Sequence, residues 1–310
     1  MDKSPHKSEF VSVNGIRLHY LDWEGSGPVL LFLPGLGCNA HIFDQFAPRF
    51  TDRFHVLALT RRGHGLSDHP ETGYDIETLT EDIYEFLNTL KIEQVILAGH
   101  SMAHIEVSHF AVQHPERVLA LIYLDAAYDR TSESYKNMVA NNPLRQIPMP
   151  GQGVDHYSVE DFFTAVKVDY PGLASVWCDA LEAQGMEEIE VAPDGKIVET
   201  QSEAIGAACM DTLKNCAPEE AKIKLPVLGI YAVNNCEYYI ADWMTEEQKT
   251  QVREHFVLRN DPWQEENIAN FKKNMPHARV VVIPRGHHFC FLKKEEEVYT
   301  AMRDFLQFFA

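Results

Sequence analysis

A chain of 310 residues is long enough to bury one large core and still carry an inserted subdomain. Its 27 lysines and arginines against 46 aspartates and glutamates leave a formal charge of −19, which repels phosphate backbones and excludes nucleic acid as an expected partner; the acid excess serves either solubility alone or the attraction of cationic substrates. No uninterrupted run of about 18 apolar residues occurs, and Met1–Lys7 is polar with no signal-peptide core, so a soluble, cytoplasmic protein with no membrane contact is expected.

In chain order, alternating apolar runs at 10–13 and 16–23 flank Asn14-Gly15, a two-residue hairpin turn, and predict an antiparallel ribbon. The continuous apolar runs at 29–33 and 54–59 are too short for helices and predict buried parallel strands. Ile76, Leu79, Ile83, Phe86, Leu87 and Leu90 keep helical spacing, with acidic residues early in the run. A strand at 95–98, a helix at 102–113 stopped near Pro115 and a strand at 118–124 follow. This alternation implies a parallel sheet covered on both faces, with ligands bound beyond the carboxyl ends of its strands. From about 126 to 225 the rhythm fails. Pro143, Pro148, Pro150 and Gly151-Gln152-Gly153 interrupt it, helical patterns at 159–168 and 172–184 dominate, and Pro193-Asp194-Gly195 supplies a turn between short strands. Strand patterns resume at 226–231 and 279–283, and a helix at 295–309 ends the chain. The expected division is a core over 1–125 and 226–310 with an inserted cap over 126–225.

The chemistry starts at Gly99-His100-Ser101-Met102-Ala103, between a strand and a helix. A sharp strand-to-helix turn there would expose the Ser101 hydroxyl and leave the Met102 N–H free to meet a developing negative charge. Pro34-Gly35-Leu36-Gly37, just past the first buried strand, can supply a second such donor from Leu36. A serine at neutral pH needs a base. Gly286-His287-His288-Phe289, after the last strand, offers two adjacent imidazoles, of which His288 is the favoured one and His287 the alternative. The third member is a carboxylate. The turn after the strand at 226–231 reads Val233-Asn234-Asn235-Cys236-Glu237, with an amide where an acid is expected, and an amide cannot stabilise an imidazolium as a carboxylate does. Asp125, at the end of the strand at 118–124, is the favoured acid, with Glu237 and Asp242 as alternatives.

His100, His104 and His109 lack an H-E-x-x-H pattern, and the six cysteines form no C-x-x-C pair, so neither a metal, a cofactor nor a disulfide framework is expected. Substrate contacts are expected from His100 beside the nucleophile and, in the insertion, from Phe163 and Trp177, whose rings either roof an apolar pocket or form the cap's own core.

Taken together, the opening hairpin, Pro34-Gly35-Leu36-Gly37, Arg62-Gly63-His64-Gly65-Leu66-Ser67, the Ser101 turn, Pro226-Val227-Leu228 and Gly286-x-His288 resemble the α/β-hydrolase superfamily along almost the whole chain except the insertion. The resemblance implies an eight-stranded, mostly parallel sheet with helices on both faces and a mainly helical cap after strand six. It also implies a serine nucleophile with an oxyanion hole from Leu36 and Met102. Thr60, Ala103 and the missing seventh-strand acid depart from the pattern, and some members that carry their acid after strand six resemble this chain in that respect. A serine rather than an aspartate at the turn favours cleavage of carboxylic esters or lactones over dehalogenation or epoxide opening. The superfamily includes macrolide esterases, and a bulky lactone bearing a cationic amino sugar suits both the large insertion and the acidic charge. The alternatives are a C–C, peptide or amide hydrolase using the same residues, and a ligand-binding homologue without turnover.

Overall fold

The structure is a computed structural model that describes residues 5–309; Met1–Ser4 of the polar leader lie outside the described residues. The chain runs Lys7–Val13 (β1), Ile16–Asp22 (β2), Val29–Leu33 (β3), His55–Leu59 (β4), Ile76–Thr89 (α1), Val95–His100 (β5), Ala103–Gln113 (α2) and Val118–Leu124 (β6). Next come Glu133–Ala140 (α3), Val159–Asp169 (α4), Pro171–Ala174 (α5), Asp179–Glu187 (α6), Ile189–Val191 (β7), Ile197–Glu199 (β8) and Glu203–Asn215 (α7). Val227–Asn234 (β9), Glu246–His255 (α8), Asp261–Asn274 (α9), Arg279–Gly286 (β10), Cys290–Lys293 (α10) and Glu295–Leu306 (α11) complete it.

Eight strands form one sheet in the order β1-β2-β4-β3-β5-β6-β9-β10. The β1–β2 and β2–β4 pairs are antiparallel and all the others parallel. Asn14 and Gly15 hold φ of 50° and 78°, the left-handed pair that joins β1 to β2 in a tight turn. Because strand side chains alternate between faces, the central apolar strands feed two cores. Phe32 packs with Phe43, Phe46 and Phe291 on one face, and Leu31 with Phe86, Phe110 and Tyr123 on the other. Helix α1 shows how sequence sets these layers. Asp75 caps it by accepting from the Thr78 N–H, and Leu79, Ile83, Phe86 and Leu87 turn one buried stripe onto the sheet.

Two connections are irregular. The β3–β4 crossover uses two short 3₁₀ turns, Ala40–Phe43 and Ala47–Phe50, instead of a helix. The pattern at 172–184 is broken into α5 and α6: Cys178 is extended, and the Ser175 carbonyl left at the end of α5 accepts from Lys293 Nζ at 2.8 Å. The small β7–β8 hairpin turns through Gly195, with φ of 87°. Among the described residues no helix is long and apolar enough to cross a membrane, and all six cysteines are free.

Candidate active site

Ser101 occupies the turn between β5 and α2 with φ of 52°, a left-handed conformation costing about 1–2 kcal/mol for a residue with a Cβ. Packing holds it there. The Ser101 N–H donates to the Leu124 carbonyl at 3.3 Å, and Ala103 is fully buried against Gly99, where a Cβ would meet Ala103 backbone atoms at 3.2 Å. Alanine at the second glycine position is therefore accommodated because Gly99 yields the space. Gly35 packs just as closely: a Cβ there would come within 2.9 Å of Ser101 Cβ, so a bare glycine lets the loop after β3 reach the serine. Among the described residues neither the Leu36 nor the Met102 N–H donates to another protein group, which leaves both available to an oxyanion.

Arg61 holds that loop in place. Its buried guanidinium donates to the Pro34 and Gly35 carbonyls at 2.9 and 3.3 Å and pairs with the buried Glu106 of α2, Nε to Oε1 at 2.8 Å. The sequence reading missed this brace, although an acid and an arginine on otherwise apolar surfaces were a signal for it. Glu106→Ala would leave Arg61 buried without its counter-charge. It is expected to lower unfolding free energy by about 3–5 kcal/mol in urea titrations, with a fall in turnover as the loop loosens.

The tandem histidines diverge. His288 Nδ1 lies 2.7 Å from Asp125 Oδ2, with Asp125 buried and the imidazole about one-third exposed. A carboxylate there fixes the Nδ1–H tautomer and leaves Nε2 able to accept a proton. His287 instead accepts the Phe289 N–H on Nδ1 and donates from Nε2 to the Gly172 carbonyl at 3.0 Å. Burial, followed by the neighbouring His288, lowers its pKa to about 4, so it is a neutral strut against α5. The Ser101 hydroxyl makes no direct bond to His288, a gap common before substrate binds.

Asp125 is itself a strained residue, with φ of 44°, and its N–H donates to the Ile230 carbonyl at 2.8 Å. Its Oδ1 accepts from the Tyr128 hydroxyl at 2.7 Å and the Ala232 N–H at 2.9 Å. Burial, with Asp125 adding to it, keeps the Tyr128 phenol protonated far above its ordinary range, so it remains a donor. Buried Gln264 donates to Tyr128 Oη and to the Ala232 carbonyl. Tyr128 and Gln264 were not anticipated; the only trace of them in the sequence is a tyrosine three residues after the acid. Neither alternative acid reaches the imidazole: Glu237 pairs with Arg253 at the surface, and Asp242 is exposed. Asn235 accepts the Glu237 N–H and caps a 3₁₀ turn.

His100 is not among the residues lining the two cavities beside the site. It is buried beneath His288, ring centroids 4.7 Å apart, and its Nε2 donates to the His288 carbonyl at 3.0 Å. Burial, then the neighbouring His288, keeps it neutral, and its ring ties the His288 carbonyl to the end of β5. A cavity of about 460 Å³ opens at His288 and Asp125, walled by Tyr128, Met149, Trp243 and Trp263. A second, of about 420 Å³, contains Phe163 and Trp177, 5.4 Å apart, and reaches Gly37 of the loop after β3. Tyr170 and Leu173 line both. His104 bonds the Ser101 carbonyl and His109 pairs with Glu219, so the histidines of α2 do not converge.

Residues 28–148 match the alpha/beta hydrolase fold family. Over 118 residues the chain is 36% identical to 2-(acetamidomethylene)succinate hydrolase of Mesorhizobium japonicum, covering 38% of this chain and 42% of that protein. Over 123 residues it is 29% identical to 3-oxoadipate enol-lactonase 2 of Acinetobacter baylyi, 39% of this chain and 46% of that one. The chain thus spans less than half the length of these curated relatives. The crystal structure of E-2-(acetamidomethylene)succinate hydrolase superimposes with a TM-score of 0.74 at 23% identity, over 97% of this chain and 99% of that one, which is a likeness of fold. The sequence match crosses β3 to β6 and the likeness in fold extends over the rest of the sheet: the chain has the α/β-hydrolase fold.

Proposed function

We propose that the chain is a serine hydrolase that opens carboxylic esters or lactones through an acyl-enzyme, and that its substrates are bulky macrocyclic lactones of the macrolide type. The observation that carries the reading is the 2.7 Å His288–Asp125 pair beside a serine held at positive φ. In the cycle, His288 Nε2 takes the Ser101 proton as Oγ attacks the carbonyl carbon, while the Leu36 and Met102 N–H groups bind the developing oxyanion. Asp125 stabilises the imidazolium, which then returns the proton to the leaving alkoxide. Water attacks the acyl-enzyme with His288 again as base, releasing the acid. For a lactone both products remain one molecule, a ring-opened hydroxy acid.

Residues 126–225 serve in this reading as a cap roofing the site. Two adjoining cavities suit a large, mostly apolar ligand. The second is lined by Glu188 and Glu199 with no lysine or arginine, a setting for a cationic amino sugar. Similarity to an enol-lactonase supports ring opening as a reaction within reach of the fold. The test is incubation with 16- and 14-membered macrolides (roughly drug-sized ligands), simple aryl esters and an acetamide panel, read by mass spectrometry. A mass gain of one water on a macrolide, lost in Ser101→Ala, is expected. Turnover confined to amides, or no turnover together with no fluorophosphonate labelling of Ser101, overturns the reading.

A further inference from the structure

Away from the serine, a second cluster of titratable groups joins three distant parts of the chain. His6 precedes β1, His41 and Asp44 lie at the 3₁₀ turn after β3, and Glu187 ends α6. His6, His41 and Asp44 each offer a ligand atom within 4.8 Å of the others. Asp44 sits between the imidazoles: Oδ2 is 2.7 Å from His41 Nδ1, and Oδ1 is 3.5 Å from His6 Nε2. These separations bracket the roughly 3.3 Å between neighbouring ligand atoms around a tetrahedral zinc ion with bonds of about 2.0–2.1 Å.

We propose that His6, His41 and Asp44 bind one divalent transition-metal ion of the zinc class, which fastens the N-terminal segment and the end of α6 to the core. Two imidazoles and a carboxylate suit zinc, cobalt or nickel; calcium and magnesium prefer all-oxygen shells. The surroundings favour a cation. The side chains of His6, His41 and Asp44 are all nearly fully buried. Glu187 Oε2 is buried without a hydrogen bond among the described residues, although His19 Nδ1 lies 3.6 Å away. With the metal on His41 Nδ1, the ring's Nε2–H donates to Glu187 Oε1 at 3.0 Å, the outer carboxylate that orients metal-bound histidines. Three protein ligands leave a fourth position for water. The ion's role is structural, because the cluster touches neither Ser101 nor His288. Its effect reaches the pocket through α6, whose Leu181, Gln184 and Gly185 line the second cavity.

The test uses the full chain with any affinity tag removed, stripped with a chelator and reloaded with zinc or cobalt(II). Retention of one zinc per chain after desalting is expected, with the visible absorption of four-coordinate cobalt(II) and a higher melting temperature in zinc. His41→Ala and Asp44→Asn should lose the stoichiometric metal and the absorption, Glu187→Gln should weaken affinity about 10- to 100-fold, and Ser101→Ala should bind as the unaltered chain does. His6→Ala, altered only ahead of the first strand, guards against misfolding and should lose the zinc-dependent rise in melting temperature. Metal retention no higher in the unaltered chain than in His41→Ala, or a zinc-dependent rise that persists in His6→Ala, overturns the proposal.

Discussion

Ser101→Ala is expected to reduce kcat for any ester or lactone the chain turns over by about 10⁶-fold, because removing the nucleophile disables the relay as a unit and leaves only the oxyanion donors and binding. Labelling by a fluorophosphonate should disappear with it. The same position gives a second readout. At φ of 52° a Cβ is strained, and glycine is not, so Ser101→Gly should abolish turnover while raising stability by about 1 kcal/mol. Urea titration alongside a burst-phase assay checks both. A catalytically dead Ser101→Gly chain that is also less stable would mean that the serine contributes structurally beyond its chemistry.

Asp125→Asn should cost about 10⁴-fold in kcat by a different route. The amide oxygen can still accept from Tyr128 and the Ala232 N–H, which occupy Oδ1. The amide nitrogen then faces His288 where Oδ2 now lies, 2.7 Å from Nδ1, and as a donor it forces Nδ1 to become the acceptor. The proton moves to Nε2, which can no longer take one from serine. Glu237→Gln and Asp242→Asn, surface changes remote from His288, should leave kcat within about twofold of the unaltered chain, as substitutions away from buried networks usually do. A large loss in either of these, with Asp125→Asn active, would reassign the acid.

Much of this architecture was readable from local chemistry. Asn14-Gly15 marked its hairpin because few other dipeptides hold two positive φ angles, and the apolar runs at β3 to β6 marked a sheet buried on both faces. What stayed hidden depended on distant partners. Nothing near residues 172–184 announces the break after α5, where Lys293 donates to the Ser175 carbonyl. Helix α8 was passed over because it buries only Val252 and His255 among charged residues, and α9 because two of the five residues on its buried stripe, Gln264 and Asn267, are polar. At the site, motif residues were visible while their supports were not. Arg61 and Glu106 are 45 positions apart, and their pairing exists only once α2 lies against the loop after β3. His100 looked like a substrate contact because it adjoins Ser101, yet strand alternation sends neighbouring side chains in different directions, and its ring lies under His288.

The placement of Asp125 has a wider consequence. Ser101 and Asp125 follow strands that are direct neighbours in the ladder, with His100 opposite Leu124, so backbone pairing brings the proposed nucleophile and acid to the same sheet end. The turn after β9 supplies no carboxylate to His288, and the residues that follow it, Tyr239, Trp243 and Met244, line the cavity. On the proposed function, part of the wall around His288 and Asp125 then comes from chain that carries none of the proposed catalytic groups. A library confined to that flank is then expected to change which esters or lactones are turned over while fluorophosphonate labelling of Ser101 persists.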